Sequence, residues 1–136
     1  MKRTSNAVWN GTGKEGSGHL TTASNLLSKA PYSWSSRFAE GTGTNPEELV
    51  AAAHAGCFSL KLSFILVAAG FVPDTIETSS TVTIDNGTIT DSHLVVKAKV
   101  PGISKEKFEE CAADAKVNCP VSKALNTNIT MEASLM

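Results

Sequence analysis

The segment from residue 46 to about residue 70 constrains the fold most, because it is Ala-rich and its apolar residues lie almost all round a helix. Asn45 is suited to cap this helix, with Pro46 at its first position. Glu47 and Glu48 fall in the first turn, where carboxylates interact favourably with the helix dipole. A helix that is apolar on every side is normally buried, so we expect this one at the centre of the domain.

Shorter elements surround this helix in the sequence. The tripeptide Asp85-Asn86-Gly87 separates two long alternating segments and predicts a hairpin. We predict strands at 6–10, 19–23, 32–38, 75–84, 88–100 and 128–134, and further helices at 105–117 and 121–125. The order predicts an α+β fold with antiparallel sheets around the buried helix. With 136 residues and no repeat or linker, the chain is expected to form one domain, 1–136.

Charge and hydropathy limit the classes of partner. The net charge is −1, from 12 basic and 13 acidic side chains, so binding to nucleic acid or to an anionic membrane has little electrostatic basis. Residues 1–11 lack the apolar core of a signal peptide. His54 and Lys61 interrupt the most apolar region, which predicts no membrane span. We therefore expect a cytoplasmic protein whose three cysteines are reduced.

Two of the three cysteines are judged by their position. Cys111 shares a helical face with Phe108 and Ala115, which predicts a small core residue. Cys119 precedes Pro120 at a helix start and is the expected N-cap, where the helix dipole favours a thiolate. A buried thiol at a turn is an equally open interpretation of Cys119.

Cys57 lies about ten residues into the apolar helix, too far from its start for the helix dipole to activate the thiol. A reactive Cys57 therefore needs a cation, and an inert core cysteine is the alternative. His54, three residues earlier on the same face, could pair with the thiol or be a hydrogen-bonded core histidine. Without a CxxC motif, His-x-x-Cys alone is weak support for zinc.

Arg37 is the candidate cation. Its guanidinium stays charged when buried and offers fixed donors for a thiolate or a peroxide oxygen, although a surface arginine is the alternative. Burial would require a carboxylate, and Glu47 is the nearest by sequence. Ten residues of helix, about 15 Å, separate Glu47 from Cys57. Either Arg37 bridges the two, or Glu47 and Cys57 of different chains meet across a dimer interface.

Three separated motifs carry a resemblance that covers nearly the whole chain. Residues 45–59, NPEELVAAAHAGCFS, resemble the active-site helix of the OsmC/Ohr family of thiol peroxidases. Residues 31–38, PYSWSSRF, resemble the arginine segment of the family's OsmC branch, and residues 118–123, NCPVSK, resemble its second-cysteine motif.

The resemblance implies an intertwined homodimer with two active sites at the subunit interface. It assigns Cys57 as the peroxidatic cysteine and Cys119 as the resolving cysteine. Arg37 would stabilise the thiolate and the peroxide, and Glu47 would orient Arg37. Cys111 matches no motif of the family.

The chemistry implied is reduction of an organic hydroperoxide, with hydrogen peroxide as a poorer or alternative substrate. Cys57 would become a sulfenic acid and then form a disulfide with Cys119, which a small dithiol of the lipoyl type or another thiol would reduce. No metal, haem or flavin is needed. We expect Phe38 and Phe58 to line an apolar pocket for the alkyl group.

Two other functions remain open at this point. A hydrolase or acyltransferase could use Cys57 and His54, but it would need an orienting residue and an oxyanion hole, and nothing near Gly56 indicates one. A non-catalytic dimeric binding protein with structural cysteines is the second alternative.

Overall fold

The computed structural model describes residues 1–39 and 41–136. The chain forms two compact units, Met1–Leu49 and Val50–Met136. Each is described by itself below. The expectation of one domain stays a prediction.

The first unit contains a small antiparallel sheet. Its strands β1 (Ser5–Asn10), β2 (Ser17–Thr22) and β3 (Ala30–Tyr32) lie in the order β1-β2-β3. Gly18 pairs with Trp9 on one side and Tyr32 on the other, and the two rings lie 5.3 Å apart. A Cβ at Gly18 would approach the Trp9 and Tyr32 side chains to 2.7 and 2.8 Å, so glycine is required for this aromatic contact.

The strand predicted at 32–38 is wrong beyond Tyr32. Trp34–Phe38 forms a short helix, α1. Ser33 caps it: its Oγ accepts from the Ser36 N–H at 3.2 Å, while the Ser33 N–H donates to the Ser36 Oγ at 2.8 Å. This reciprocal capping box satisfies the free N–H groups of a helix start and outweighs the alternating pattern.

The long helix α2 (Pro46–Ala68) begins where the sequence predicts. The Asn45 Oδ1 accepts a hydrogen bond from the Glu48 N–H at 2.7 Å, which confirms Asn45 as the cap. Gly70, with φ +94°, follows the helix end, a conformation that glycine adopts without steric cost.

The second unit contains a mixed sheet, with strands β4 (Thr75–Asp85), β5 (Thr88–Lys99) and β6 (Asn128–Leu135) in that order. Asn86 and Gly87 both have positive φ, and the predicted hairpin between β4 and β5 is confirmed. β5 and β6 are parallel, so the prediction of antiparallel sheets is wrong for this pair. The helices α3 (Lys105–Asn118) and α4 (Pro120–Ala124) form the crossover that parallel strands require.

One core cluster lies in this unit. Alternate residues of β5 are buried, as expected for a strand with one face on a core. Cys111 is 3% exposed within this cluster, which confirms its assignment as a core residue. The cluster consists of Phe58, Leu62 and Leu66 of α2, Leu94, Val96, Ala98 and Val100, and Phe108, Cys111, Ala112, Ala115 and Cys119.

α2 is not buried all round in a single chain, contrary to the prediction. Leu60, Phe64 and Val67 are 61%, 67% and 51% exposed. They occupy positions i, i+4 and i+7, which lie on one face of a helix. α2 therefore has a core-facing side and an exposed apolar side, which we call the outer face (Leu60, Phe64 and Val67).

The hydropathy of α2 also differs from the expectation. Its 23 residues are long and apolar enough by length and composition to cross a membrane, despite His54 and Lys61. The core helix of a globular protein passes the same test. The fully buried Phe58, Leu62 and Leu66 indicate such a core helix.

Candidate active site

Arg37 and Glu47 form an ion pair in the first unit. The guanidinium donates from Nε at 2.9 Å and from Nη2 at 2.7 Å, both to Glu47 Oε1. The Asn45 side chain donates to the Ser36 carbonyl at 3.0 Å, which joins the cap of α2 to α1. This short connection brings together the arginine and the glutamate that the sequence singled out.

The electrostatics of the pair favour a permanent cation. The hydrogen bond that Arg37 donates to Glu47 raises the pKa of Arg37, while burial lowers it and the carboxylate's charge raises it further. The Arg37 side chain is 39% exposed, while that of Glu47 is 11% exposed. Among the described residues, the Arg37 Nη1 has no hydrogen-bond partner, so it retains donors for a second anion.

A cavity of about 250 Å³ lies beside Arg37 within the first unit. Phe38 lines it, as expected, and the ring lies 4.9 Å from the guanidinium carbon. Phe58 is fully buried in the apolar core of the second unit, so its expected place in the pocket wall stays a prediction. A strand at 32–38 would put Arg37 and Phe38 on opposite faces, whereas both line this cavity. Three further aromatic walls were not named by the sequence reasoning: Trp9, Tyr32 and Trp34.

Cys57 and Cys119 meet in the second unit. Cys57 is half-buried on α2, and Cys119 is fully buried immediately before α4. Cys119 belongs to the apolar core cluster and Cys57 packs against that cluster, with Cys119 and the Val121 N–H close enough to shift the pKa of the Cys57 thiol. Both cysteines are free thiols. Cys119 is the N-cap as predicted, but its side chain forms no capping hydrogen bond.

The second unit by itself disfavours the reactive form of Cys57. Burial raises the pKa of the thiol, and the hydrogen bond to Cys119 raises it further. The Val121 N–H and the positive charge of Lys61 lower the pKa, but the net effect is a rise. This agrees with the sequence argument that a cation must activate Cys57. The role of the Val121 N–H could not be predicted from the sequence, because every residue except proline has this backbone group.

His54 occupies a fully buried position with both ring nitrogens hydrogen bonded. Its Nδ1 lies 2.7 Å from the Ser92 Oγ, and its Nε2 lies 2.8 Å from the Ser122 Oγ. Burial lowers the pKa of His54, which keeps the ring neutral. Because both nitrogens are occupied by serines, His54 is not placed as the base of Cys57, which contradicts the hydrolase alternative.

A metal site finds no support in the geometry. Over residues 1–39 and 41–136, no three or more His, Cys, Asp or Glu side chains are grouped closely enough to hold a metal ion.

The α+β fold and the two neighbouring thiols define a class of small proteins with cysteine redox chemistry. The family model described as "OsmC-like protein" matches residues 39–134. The chain is 42% identical over 133 residues to peroxiredoxin OsmC of Escherichia coli K12, covering 95% of this chain and 93% of that protein. It is 30% identical over 123 residues to organic hydroperoxide resistance protein OhrB of Bacillus subtilis, covering 87% and 88%. The chain belongs to the OsmC-like protein family.

Solved structures agree with this assignment. The crystal structure of Bacillus subtilis OhrB matches with a TM-score of 0.68 and 28% identity, covering 98% of each chain. An OsmC-like protein of Mycoplasma pneumoniae matches with a TM-score of 0.78, covering 100% of this chain and 98% of that one. Its 14% identity shows the shared fold alone. The resemblance drawn from the three sequence motifs is confirmed at the level of family and fold.

Proposed function

We propose that the chain reduces organic hydroperoxides to alcohols, with Cys57 as the peroxidatic thiol and Cys119 as the resolving thiol. The observation that carries this proposal is that two free thiols, one on α2 and one at the start of α4, lie at the same core cluster, where Cys119 acts on the pKa of Cys57. Membership of the family supplies the reaction class: the Escherichia coli relative is named a peroxiredoxin and the Bacillus subtilis relative an organic hydroperoxide resistance protein. The chain is accordingly a thiol-dependent peroxidase.

The first step is displacement at the peroxide. The Cys57 thiolate attacks one peroxide oxygen, an S–O bond forms, and the O–O bond breaks. The leaving alkoxide takes a proton and departs as the alcohol. Cys57 is oxidised to the sulfenic acid and the hydroperoxide is reduced.

The second step is condensation with Cys119. The Cys119 sulfur attacks the Cys57 sulfur, and the S–O bond breaks. The hydroxyl group leaves with the proton of Cys119 as water, and a disulfide joins α2 to the start of α4. A small dithiol, of the lipoyl type, then reduces the disulfide by thiol–disulfide exchange.

Arg37 has the chemistry to support the first step. Its guanidinium would stabilise the Cys57 thiolate and the negative charge that develops on the alkoxide. Glu47 holds two of the guanidinium nitrogens, which fixes the plane of the group. The cavity beside Arg37, with Phe38 in its wall, suits an alkyl or aryl group better than the small hydrogen peroxide.

A homodimer would cover the apolar surface that a single chain leaves exposed. The outer face of α2 exposes three large apolar side chains, and a contiguous exposed apolar surface of this kind is typical of an interface. We propose that a second copy covers it in an intertwined dimer, in which each 1–136 chain acts as one domain and the active sites lie at the interface. The free thiols fit a cytoplasmic location.

One equivalent of cumene hydroperoxide tests the function directly. The intact mass of the reduced protein should fall by about two mass units, with the loss mapped to a peptide pair that contains Cys57 and Cys119. Cys119→Ser should complete one turnover and leave a sulfenic acid that dimedone traps. An unchanged mass together with unconsumed hydroperoxide would contradict the assignment.

A further inference from the structure

His54 links the two segments that carry the cysteines. Cys57 follows it by three residues on α2, and its hydrogen-bond partner Ser122 follows Cys119 by three residues. One turn of helix separates each cysteine from the His54–Ser122 contact. The contact therefore joins the two elements by their side chains, one turn from each cysteine.

The link is anchored in the sheet. The Ser92 Oγ on β5 bonds to His54 Nδ1 at 2.7 Å and lies 3.1 Å from the Ser80 Oγ on β4. His54 and Ser92 have no exposed surface, and Ser122 is 8% exposed. In a neutral imidazole one nitrogen donates and the other accepts, so one serine hydroxyl accepts a hydrogen bond from the ring and the other donates one to it. Losing either partner would leave a buried nitrogen without a hydrogen bond, which is costly.

α4 depends on this link for its position. The helix has only five residues, Pro120–Ala124, too few for stable helical structure in isolation. In the part of the chain that the structure describes, Ser122 is the only residue of α4 whose side chain hydrogen bonds to another element. The remaining polar contact near the thiols is the Val121 N–H bonded to the Cys57 sulfur.

We propose that His54 is a positioning residue for the resolving step: through Ser122 it holds the start of α4, and with it the Cys119 thiol, against Cys57. The inference rests on the proposed function and adds a role for a residue that touches neither the peroxide nor the two sulfur atoms. His54 exchanges no group in this step; the water that leaves is made of the Cys57 hydroxyl and the Cys119 proton.

Positioning matters because a sulfenic acid has two fates. A second hydroperoxide oxidises it irreversibly to a sulfinic acid, whereas Cys119 converts it to the reducible disulfide. Holding two reactants in place can be worth several powers of ten in rate, so a small displacement of α4 slows the intramolecular reaction strongly. The first step forms no bond to Cys119. The α4 segment acts on it only through Cys119, which raises the pKa of Cys57, and the Val121 N–H, which lowers it, and these two effects oppose each other.

Two substitutions of His54 test the roles of its two ring nitrogens separately. The Asn side-chain amide reaches about the place of Nδ1, and the Gln amide reaches about the place of Nε2. His54→Asn therefore keeps a partner for Ser92 and loses Ser122, while His54→Gln keeps a partner for Ser122. We expect disulfide formation to slow at least about tenfold in His54→Asn and much less in His54→Gln.

Ser122→Ala is the smaller structural change, since it removes one hydroxyl group and keeps the histidine. We expect the same defect as in His54→Asn, and recovery in Ser122→Thr, which restores the hydroxyl. Ser59→Ala is the matched control: Ser59 joins α2 to β4 through the Thr78 Oγ1 at 2.7 Å and does not contact α4. It should resolve at the wild-type rate.

The measurement is rapid-quench mass spectrometry after one equivalent of cumene hydroperoxide, with thermal melts to identify folded variants. His54→Asn and Ser122→Ala should consume hydroperoxide within about twofold of the wild-type rate, but accumulate dimedone-trapped sulfenic acid and, with excess hydroperoxide, sulfinic acid. Wild-type rates of disulfide formation in folded Ser122→Ala would overturn the inference, as would equal losses in both steps. A wild-type protein that consumes no hydroperoxide would instead refute the proposed function.

Discussion

The two units of the chain differ in what they bury. In Met1–Leu49, the buried side chains among the described residues are Ser36 and Glu47, both polar, whereas Val50–Met136 contains the whole apolar core. The first unit has a cation with free donors and no cysteine. The second has the paired thiols, but a Cys57 whose pKa is raised. The proposed peroxidase reaction requires both a cation and a nucleophilic thiol.

Removing the nucleophile from the second unit should give the largest effect. Cys57→Ser is expected to reduce hydroperoxide consumption to the rate of the buffer, because an alcohol is not ionised at neutral pH and cannot replace the thiolate. A ferrous–xylenol orange assay of residual hydroperoxide measures this. Cys111→Ser is the matched control and should remain active; full activity in Cys57→Ser would refute the role of this cysteine.

The outer face of α2 tests whether a second copy completes the site. Phe64→Glu puts a charge at a position that is 67% exposed in the single chain, so the fold should tolerate it while a dimer should not. We expect a monomer by light scattering and a loss of activity of about 100-fold or more if the interface assembles the site. Leu26→Glu, at a leucine outside α2 that is 88% exposed, is the control. A fully active Phe64→Glu monomer would exclude an interface site.

Arg37 in the first unit should come next in effect. Arg37→Lys keeps the charge and loses the planar fork that bonds twice to Glu47 Oε1. We expect kcat/KM for cumene hydroperoxide to fall about 10- to 100-fold, less than the roughly 100- to 1000-fold cost of losing an oxyanion donor outright, because lysine keeps the charge. Arg3→Lys provides the comparison. An unchanged kcat/KM in Arg37→Lys would remove the guanidinium from the mechanism.

The pH dependence of Cys57 alkylation measures whether Arg37 of the first unit acts on Cys57 of the second. Burial raises the pKa of Cys57, so the thiolate fraction at neutral pH is small in the second unit alone and increases as the pH rises. A nearby guanidinium favours the thiolate. We expect the midpoint of iodoacetamide alkylation in Arg37→Gln to lie about one pH unit or more above that of the wild type. Coincident midpoints would show that Arg37 does not act on Cys57.

The smallest effect on activity is expected at the third cysteine. Cys111 is 3% exposed in the apolar core, so Cys111→Ser places a hydroxyl there without a designed partner. The free energy of unfolding should fall by about 1–3 kcal/mol, measured by urea denaturation, with the hydroperoxide rate unchanged. A changed rate with unchanged stability would show that Cys111 takes part in the chemistry.

The elements that the sequence predicts correctly depend on neighbouring residues. The Asn45 cap, the Asn86-Gly87 hairpin and the apolar face around Cys111 are set by spacing along a short segment. The error at 32–38 has a local cause as well. The serines of the Ser33–Ser36 capping box are visible in the sequence, but the alternating aromatic residues there are also typical of a strand.

Other features depend on long-range contacts and leave no local signal. The parallel pairing of β5 and β6 follows from the path of α3 and α4, and alternation in a strand does not reveal the direction of its neighbour. His54 finds Ser92 and Ser122 at 38 and 68 positions away in the sequence. The spacing of His54 and Cys57 suggested a pair that the tertiary fold does not form. The exposed outer face of α2 likewise cannot be separated from a buried face by hydropathy alone.

The positions of the two thiols along the chain also link oxidation to folding. Cys57 precedes the β4–β5 hairpin and α3, and Cys119 follows them, so a disulfide would close a loop of 62 positions around most of the core. By chain entropy, closing a loop of this length in the unfolded state is worth about 4 kcal/mol. Each turnover would thus alternate the enzyme between a cross-linked form that resists unfolding and a less stable form that awaits the next hydroperoxide.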